Sequence, residues 1–259
     1  MRLVTVLGFT ISILISCGKK SSETAVTSDS LSMGYVVLRT MPHDVRSYTE
    51  GLIIYDDKIL ESTGLNGQSW IAEVDPSTGQ SNKKIILDNR YFGEGITVLN
   101  KKIYHLTYQE KTGFIYDVST YEKIGEFNYK TQGWGITHDN TSLIMSDGTD
   151  KLYFLDTLSL QVNRTLSVTD SGRKIKKLNE LEYCNGYIFA NVWETSMIVK
   201  IDPANGNVVG RLDLSRLTND SKRMHPQSDV LNGIAFDQNL NALLVTGKYW
   251  PLSYLITVK

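Results

Sequence analysis

The sequence is poor in cysteine and histidine, in excess charge of either sign, and in long apolar runs. Its two cysteines, Cys17 and Cys184, form no cluster that could hold a metal. Four scattered histidines without ligand-like spacing exclude a His-rich zinc enzyme. Net charge is −1, and "RKIKK" (Arg173–Lys177) is the one prominent basic cluster. That leaves no footprint for nucleic acid, and the short run reads as a solvated loop. The apolar stretch "LVTVLGFTISILIS" (Leu3–Ser16) is too short for a comfortable transmembrane helix. No helix of sustained amphipathic period is expected, beyond a turn near Lys174–Glu180 or Leu214–Thr218. What remains, 41% apolar and 21% charged over 259 residues, has the composition of a soluble globular protein. The length suits one large all-β domain or two ordinary ones.

The N-terminus is a separate matter. Arg2 gives a positive start, and the apolar run ends in "LISC" (Leu14–Cys17), which resembles a bacterial lipobox. In that pattern the signal, residues 1–16, is cleaved and the Cys17 thiol is lipidated. Gly18 follows rather than Asp, which is compatible with sorting to an outer membrane. The expectation is an exported protein, lipid-anchored in a bacterial cell envelope, with residues 17–33 as a flexible tether. Cys184 is then the only free thiol, and no intramolecular disulfide forms. An ordinary secretory signal with a chance cysteine is the competing reading.

Five stretches line up as repeats: "EGLIIYDDKILEST" from Glu50, "EGITVLNKKIYHLTY" from Glu94, "WGITHDNTSLIMSDG" from Trp134, "NELEYCNGYIFANVW" from Asn179 and "NGIAFDQNLNALLVTG" from Asn232. Each reads as a strand, a polar turn and a more apolar strand, followed by a third strand; the first four carry a fourth. The spacings are 44, 40, 45 and 53 residues, close to the period of four-stranded propeller blades. The fifth repeat lacks its fourth strand, and a spare one, "GYVVLRT" (Gly34–Thr40), precedes the first. We therefore expect an all-β, five-bladed β-propeller over residues 34–259, with the N-terminal strand completing the last blade and latching the ring. A β-sandwich leaves both the period and the orphan strand unexplained.

In a propeller, residues at one repeat position form a ring around the axis. The position before the first strand holds Glu50, Glu94, Trp134, Asn179 and Asn232. Fourteen residues on come Tyr108 and Trp193, with Lys248 in the matching place of the fifth blade. Taken singly, Glu94 is a turn acid, each tryptophan is core packing, and Lys248 is a rim lysine paired with Glu50 or Glu94. A structural ring would repeat one residue, whereas this one varies from blade to blade, as a site does. Glu94, beside Phe92, is placed to hold and shuttle a proton. Trp134 and Trp193 suit an ammonium or a flat amide, while Asn179 and Lys248 can hold oxygen.

At these residues the chain resembles the glutaminyl-peptide cyclotransferases of the plant and bacterial type, a five-bladed propeller family. The resemblance runs from "PHDVRSYTEGL" (Pro42–Leu52) to "TGKYWP" (Thr246–Pro251). Its most specific stretches are "ESTGLNGQS" (Glu61–Ser69), "FGEGIT" (Phe92–Thr97), "GWGITHD" (Gly133–Asp139), "MSDGT" (Met145–Thr149), "NELEY" (Asn179–Tyr183), "ANVW" (Ala190–Trp193) and "VLNGIAFD" (Val230–Asp237). The resemblance implies cyclisation of the N-terminal glutamine of a peptide or protein to pyroglutamate, with loss of ammonia. It implies Glu94 as the acid/base, and Asn179, Trp134, Trp193 and Lys248 as pocket residues. Phe92 and Tyr48 are then apolar wall, and no metal or other cofactor is required.

One departure matters: the family usually has Gln where this chain has Glu50, in "YTEGL" rather than "FTQGL". A second acid near Glu94 either shares a proton with it, or pairs with Lys248 or the substrate amine. Two other readings stay open. Glu50, Glu94, Asn179 and Asn232 could ligate Ca²⁺ in a propeller lactonase or esterase, although Trp134 and Lys248 would crowd or repel the ion. A tethered, non-catalytic module capturing a peptide N-terminus is the third, and Glu50 is its best argument.

Overall fold

The structure is a computed structural model that describes Met1 and residues 30–259. The signal segment, Cys17 and the first part of the tether lie outside the described residues. Among the described residues no helix is long and apolar enough to cross a membrane.

A short strand β1 (Ser32–Met33) and a longer β2 (Tyr35–Pro42) come first. Blade one is β3 (Thr49–Tyr55), β4 (Lys58–Thr63), β5 (Trp70–Val74) and β6 (Ser81–Ile86). Blade two is β7 (Gly93–Leu99), β8 (Lys102–Thr107), β9 (Thr112–Asp117) and β10 (Lys123–Asn128). Blade three is β11 (Ile136–His138), β12 (Ser142–Ser146), β13 (Lys151–Asp156) and β14 (Val162–Ser167). A small hairpin, β15 (Thr169–Asp170) and β16 (Arg173–Lys174), leads to blade four: β17 (Leu178–Cys184), β18 (Tyr187–Val192), β19 (Met197–Ile201) and β20 (Val208–Asp213). After helix α1 (Ser215–Met224), β21 (Leu231–Asp237), β22 (Ala242–Gly247) and β23 (Leu252–Val258) begin blade five, and β2 completes it.

The expected latch is present. β2 pairs antiparallel with β23 from Tyr35 opposite Val258 to Pro42 opposite Leu252. β1 adds itself in parallel to the outer edge of blade four, with Ser32 opposite Arg211. Burial is greatest in the inner strands of each blade and least in the outermost, and apolar side chains face the neighbouring blades. The core is accordingly divided by seam. Ile53, Leu60 and Ile71 meet Ile96, Ile103 and Phe114 between blades one and two. Leu106 meets Ile136 and Leu143 between two and three, Phe154 meets Leu181 and Ile188 between three and four, and Leu212 meets Leu231 and Trp250 between four and five. Each such side chain, fully buried, contributes about 1.5–3 kcal/mol.

Two local expectations need correction. Lys174–Glu180 is not helical: Lys174 ends β16 and Leu178 starts β17, because Leu178 is fully buried opposite Val192. The turn expected at Leu214–Thr218 is a ten-residue helix, α1. The segment "SRLTNDSKRM" is polar, so its period was faint, yet Leu217 anchors it in the blade four–five core. Asp213 accepts from the Ser215 amide at 2.8 Å, and Lys222 and Arg223 occupy the last turn, where the helix dipole favours cations.

The seam between blades five and one, where the ring closes, has the least apolar material: six buried residues, two of them alanine. A buried polar cluster supplements it. His43 Nδ1 faces the Trp250 carbonyl oxygen at 2.7 Å, and Nε2 faces Glu61 Oε1 at 3.0 Å. Both ring nitrogens thus meet acceptors, which the imidazolium satisfies as a double donor. Glu61 also accepts from Ser47 Oγ at 3.2 Å and Thr49 Oγ1 at 2.6 Å. Burial pulls the His43 pKa down, but the Glu61 charge and hydrogen bond and the Trp250 carbonyl raise it further, so it lies above 6.5. A raised histidine stabilises the fold fully below its unfolded value, about 6.5, and that stabilisation fades as pH rises through the folded value. Replacing Glu61→Gln leaves the buried imidazolium without a counter-charge. It should destabilise the protein by about 3 kcal/mol near neutral pH, measured by urea unfolding. The same variant should lose the alkaline decline that His43 imposes on the wild type.

Candidate active site

The inner strands approach one another so closely that no side chain fits between them. A Cβ on Gly51 would lie 2.6 Å from the Ile96 nitrogen, and one on Gly95 would lie 2.7 Å from the Trp134 carbonyl oxygen. Neither glycine has a positive φ, so close approach, rather than a left-handed turn, is what requires them. The ladders slip at these points. Register shifts fall between Thr49 and Gly51, Gly93 and Ile96, Leu178 and Leu181, and Leu231 and Ile234. Glu50, Glu94, Asn179 and Asn232 each sit in one of these bulges, a feature that re-aims side chains. In blade three the ladder starts only at Ile136, and Trp134 precedes it.

The polar members lie deepest. Glu50, Glu94, Asn179, Asn232 and Lys248 are all at most 5% exposed. Lys248 Nζ donates to Glu50 Oε1 at 2.6 Å, and Asn232 Nδ2 donates to Glu50 Oε2 and to the Thr49 carbonyl, both at 3.0 Å. Lys248 also stands 4.1 Å from the centre of the Tyr48 ring. Glu94 differs from Glu50: its carboxyl has no hydrogen-bond donor among the described residues, although its backbone oxygen is held by Ser62 Oγ at 2.5 Å. Two buried acceptors, Asn179 Oδ1 and Asn232 Oδ1, also lack donors.

Above this floor runs an arc of half-buried rings. Tyr249 meets Tyr48 at 5.3 Å, Tyr48 meets Phe92 at 6.2 Å, and Phe92 meets Tyr108 at 5.7 Å. Tyr108 meets Trp134 at 6.5 Å, and Trp134 meets Trp193 at 5.5 Å, edge to face. Lys177 of the basic run stands over Trp193 at 5.3 Å and pairs with Glu194, at the rim. Gly148 of "MSDGT" leaves the space that the Trp134 ring occupies.

Burial, then the Glu50 charge, push the Glu94 pKa well above 4.5, against a smaller pull from Lys248. Burial also raises Glu50; for Lys248 burial pulls the pKa down, but the Glu50, Tyr48 and Glu94 charges and the Glu50 hydrogen bond together raise it further. Two further acids occupy the axis below. Glu180 accepts from the Ile234 amide at 2.8 Å and the Leu52 amide at 3.4 Å, and burial with the neighbouring Glu182 charge raises it well above 4.5. Glu182 accepts from the Phe236 amide at 2.8 Å and is pushed by burial to about 8.

All ten axial residues named from the sequence thus gather at one mouth. Sequence reasoning missed Tyr249, Glu180 and Asn191. Tyr249 adopts φ 61° and is tied by its amide to the Ser47 carbonyl at 2.8 Å. Asn191 Oδ1 accepts from the Gly233 amide at 3.1 Å, fixing the bulge that carries Asn232. The "NE" of blade four, where other blades have "EG", "WG" or "NG", was the available signal for Glu180.

A free carboxyl with a raised pKa, beside an ion pair and unfilled carboxamide acceptors, suits proton transfer on a small nitrogen-bearing group. The fold is a five-bladed β-propeller with a buried, titratable site at its axis. Residues 10–258 match the glutamine cyclotransferase family, and the chain belongs to it. It is 40% identical over 226 residues to a glutaminyl-peptide cyclotransferase of Arabidopsis thaliana, covering 86% of this chain and 71% of that one. The solved structure of Myxococcus xanthus glutaminyl cyclase matches with a TM-score of 0.83 at 29% identity, covering 89% of this chain and 99% of that one.

The coupling between the two acids is directly measurable. In carboxyl-selective NMR, Glu94 should titrate well above the ordinary range, and Glu50→Gln should lower it by removing a negative charge and releasing Lys248. A Glu94 that titrates near 4.5, or ignores the substitution, contradicts this electrostatic account.

Proposed function

We propose that this protein cyclises the N-terminal glutamine of peptides or proteins to pyroglutamate, releasing ammonia. The observation that carries the reading is the unpartnered carboxyl of Glu94, buried among aromatic rings at the propeller axis. The neutral α-amine attacks the side-chain carbonyl carbon and forms the ring C–N bond. The Glu94 carboxylate takes one proton from that nitrogen and delivers it to the departing amide nitrogen as the old C–N bond breaks. The lactam keeps one N–H, ammonia leaves, and Glu94 returns to its starting state. A carboxyl with a raised pKa suits both halves, being a stronger base when ionised and a ready acid afterwards.

Both reacting groups belong to one residue, so the pocket's main task is to fold the side chain back. Tyr48, Phe92, Tyr108, Trp134 and Trp193 provide walls, and Asn179 Oδ1 and Asn232 Oδ1 are available to substrate N–H groups. Lys248 has three donors and gives one to Glu50, leaving others for the oxygen that gains charge. The ammonium already occupying Glu50 disfavours a Ca²⁺ ion there, on electrostatic grounds. Lipid anchoring at Cys17 in a bacterial envelope, with the active domain exported, rests on "LISC" and the apolar segment before it.

Ammonia release from an N-terminal glutamine peptide tests the assignment. Wild type should turn over, including in excess EDTA, whereas Glu94→Gln should lose about 10²–10⁴-fold in kcat/KM while staying folded. No turnover by wild type refutes the enzyme reading, and a fully active Glu94→Gln refutes the mechanism. For the anchor, Cys17→Ala should move the protein from the membrane to the soluble fraction; an unchanged distribution excludes lipidation there.

A further inference from the structure

The stretch "ESTGLNGQS" contributes no side chain to the axial ring, although it is the blade-one counterpart of the loops that carry Tyr108, Trp193 and Lys248. At that wall position blade one has Gly64, fourteen residues after Glu50. A Cβ there would run into the Phe92 ring and press on Tyr48, so the glycine lets these two rings close together. Immediately outside them a cleft of about 300 Å³ opens on the same mouth, sharing Tyr48 and Gly64 with the ring. Its floor is Trp70, and its sides include Leu65, Ser81 and Lys83.

Two features of the cleft are unfilled. Ser81 Oγ is buried and has no hydrogen-bond partner. Lys83 stands 5.2 Å over the Trp70 ring and pairs with no carboxylate among the described residues. The other charges at the edge cancel, since Arg46 donates to both oxygens of Asp44, at 2.9 and 2.7 Å. The cleft therefore carries one uncompensated positive charge, above an aromatic floor and beside a vacant hydroxyl. Tyr48 belongs both to the ring and to the cleft, and an extended peptide advances about 3.3–3.6 Å per residue, so the residue after one bound at the axis is the one a neighbouring cleft can receive.

We propose that this cleft receives the side chain following the N-terminal glutamine of the substrate, and that it favours an acidic one. The inference rests on the cyclotransferase reading above. An acidic side chain meets Lys83 while its methylenes lie on Trp70; a basic one meets like charge. Lys83 is exposed on an outer strand and outside the catalytic pocket, so its replacement spares the chemistry.

The test compares kcat/KM for two peptides that differ only in having Glu or Lys after the N-terminal Gln, with glutamine amide as a one-residue control. Wild type should prefer the Glu peptide by about two- to five-fold at low ionic strength, the range open to one exposed ion pair. High salt should erase the preference. Lys83→Ala should abolish it and Lys83→Glu should reverse it, both with unchanged glutamine amide turnover and circular dichroism. A Glu-to-Lys ratio that stays at the wild-type value in both variants, or a wild-type ratio of one, overturns the subsite and leaves the enzyme reading standing. Failure of wild type on all three substrates refutes the enzyme reading, and the subsite with it.

Discussion

The axial mouth depends on how closely the backbones of neighbouring inner strands pack. Around Gly51, Gly95 and Gly135 the next blade's main chain lies where a Cβ would be. Any side chain there would wedge two blades apart and open the ring. With that position closed to side chains, the residue before it is turned toward the mouth by a local slip of the ladder. Glu50, Glu94 and Trp134 precede the crowded glycine in blades one to three, so their place in the ring follows from a packing requirement. Blade four has Glu180 in place of the glycine. Its side chain is accommodated by reaching to Leu52 of blade one and Ile234 of blade five, satisfying two inner-strand amides.

This geometry sets the electrostatics. Glu50, Glu94, Glu180 and Glu182 share the axis with one nearby ammonium, Lys248, in a setting where an uncompensated charge is costly. Lys248 and Asn232 settle on Glu50, which satisfies that carboxylate and denies the same help to Glu94. Burial and the Glu50 charge then favour the protonated form of Glu94. A Gln at position 50 would still offer Lys248 a carbonyl acceptor, but no negative charge. The two acids are thus placed differently: Glu50 holds the lysine, and Glu94 is left with a raised pKa and no hydrogen-bond donor among the described residues.

Much of this was legible from the residues. Repeat spacing gave the blades, the orphan strand before Glu50 gave the latch, and a fixed offset of fourteen residues picked out Tyr108 and Trp193. The glycines beside the site residues were visible too, but their reason, crowding by the next blade's main chain, was not. Helix α1 was underestimated because Leu217 is its only fully committed apolar anchor. His43 and Glu61 gave no signal as a pair, since they come from different blades and meet only where the ring closes.

The sequence by itself determined the blades, their number and most of the residues that face the axis, because side-chain alternation and turn chemistry act over a few residues. Tertiary structure alone decided how the charges share that space. Glu50 and Lys248 are 198 positions apart yet 2.6 Å from contact atom to contact atom, whereas the Glu94 carboxyl in the same ring has no donor among the described residues. Whether a carboxyl keeps its proton depends on burial and on charges a few ångströms away, distances that exist only once the last blade has closed on the first.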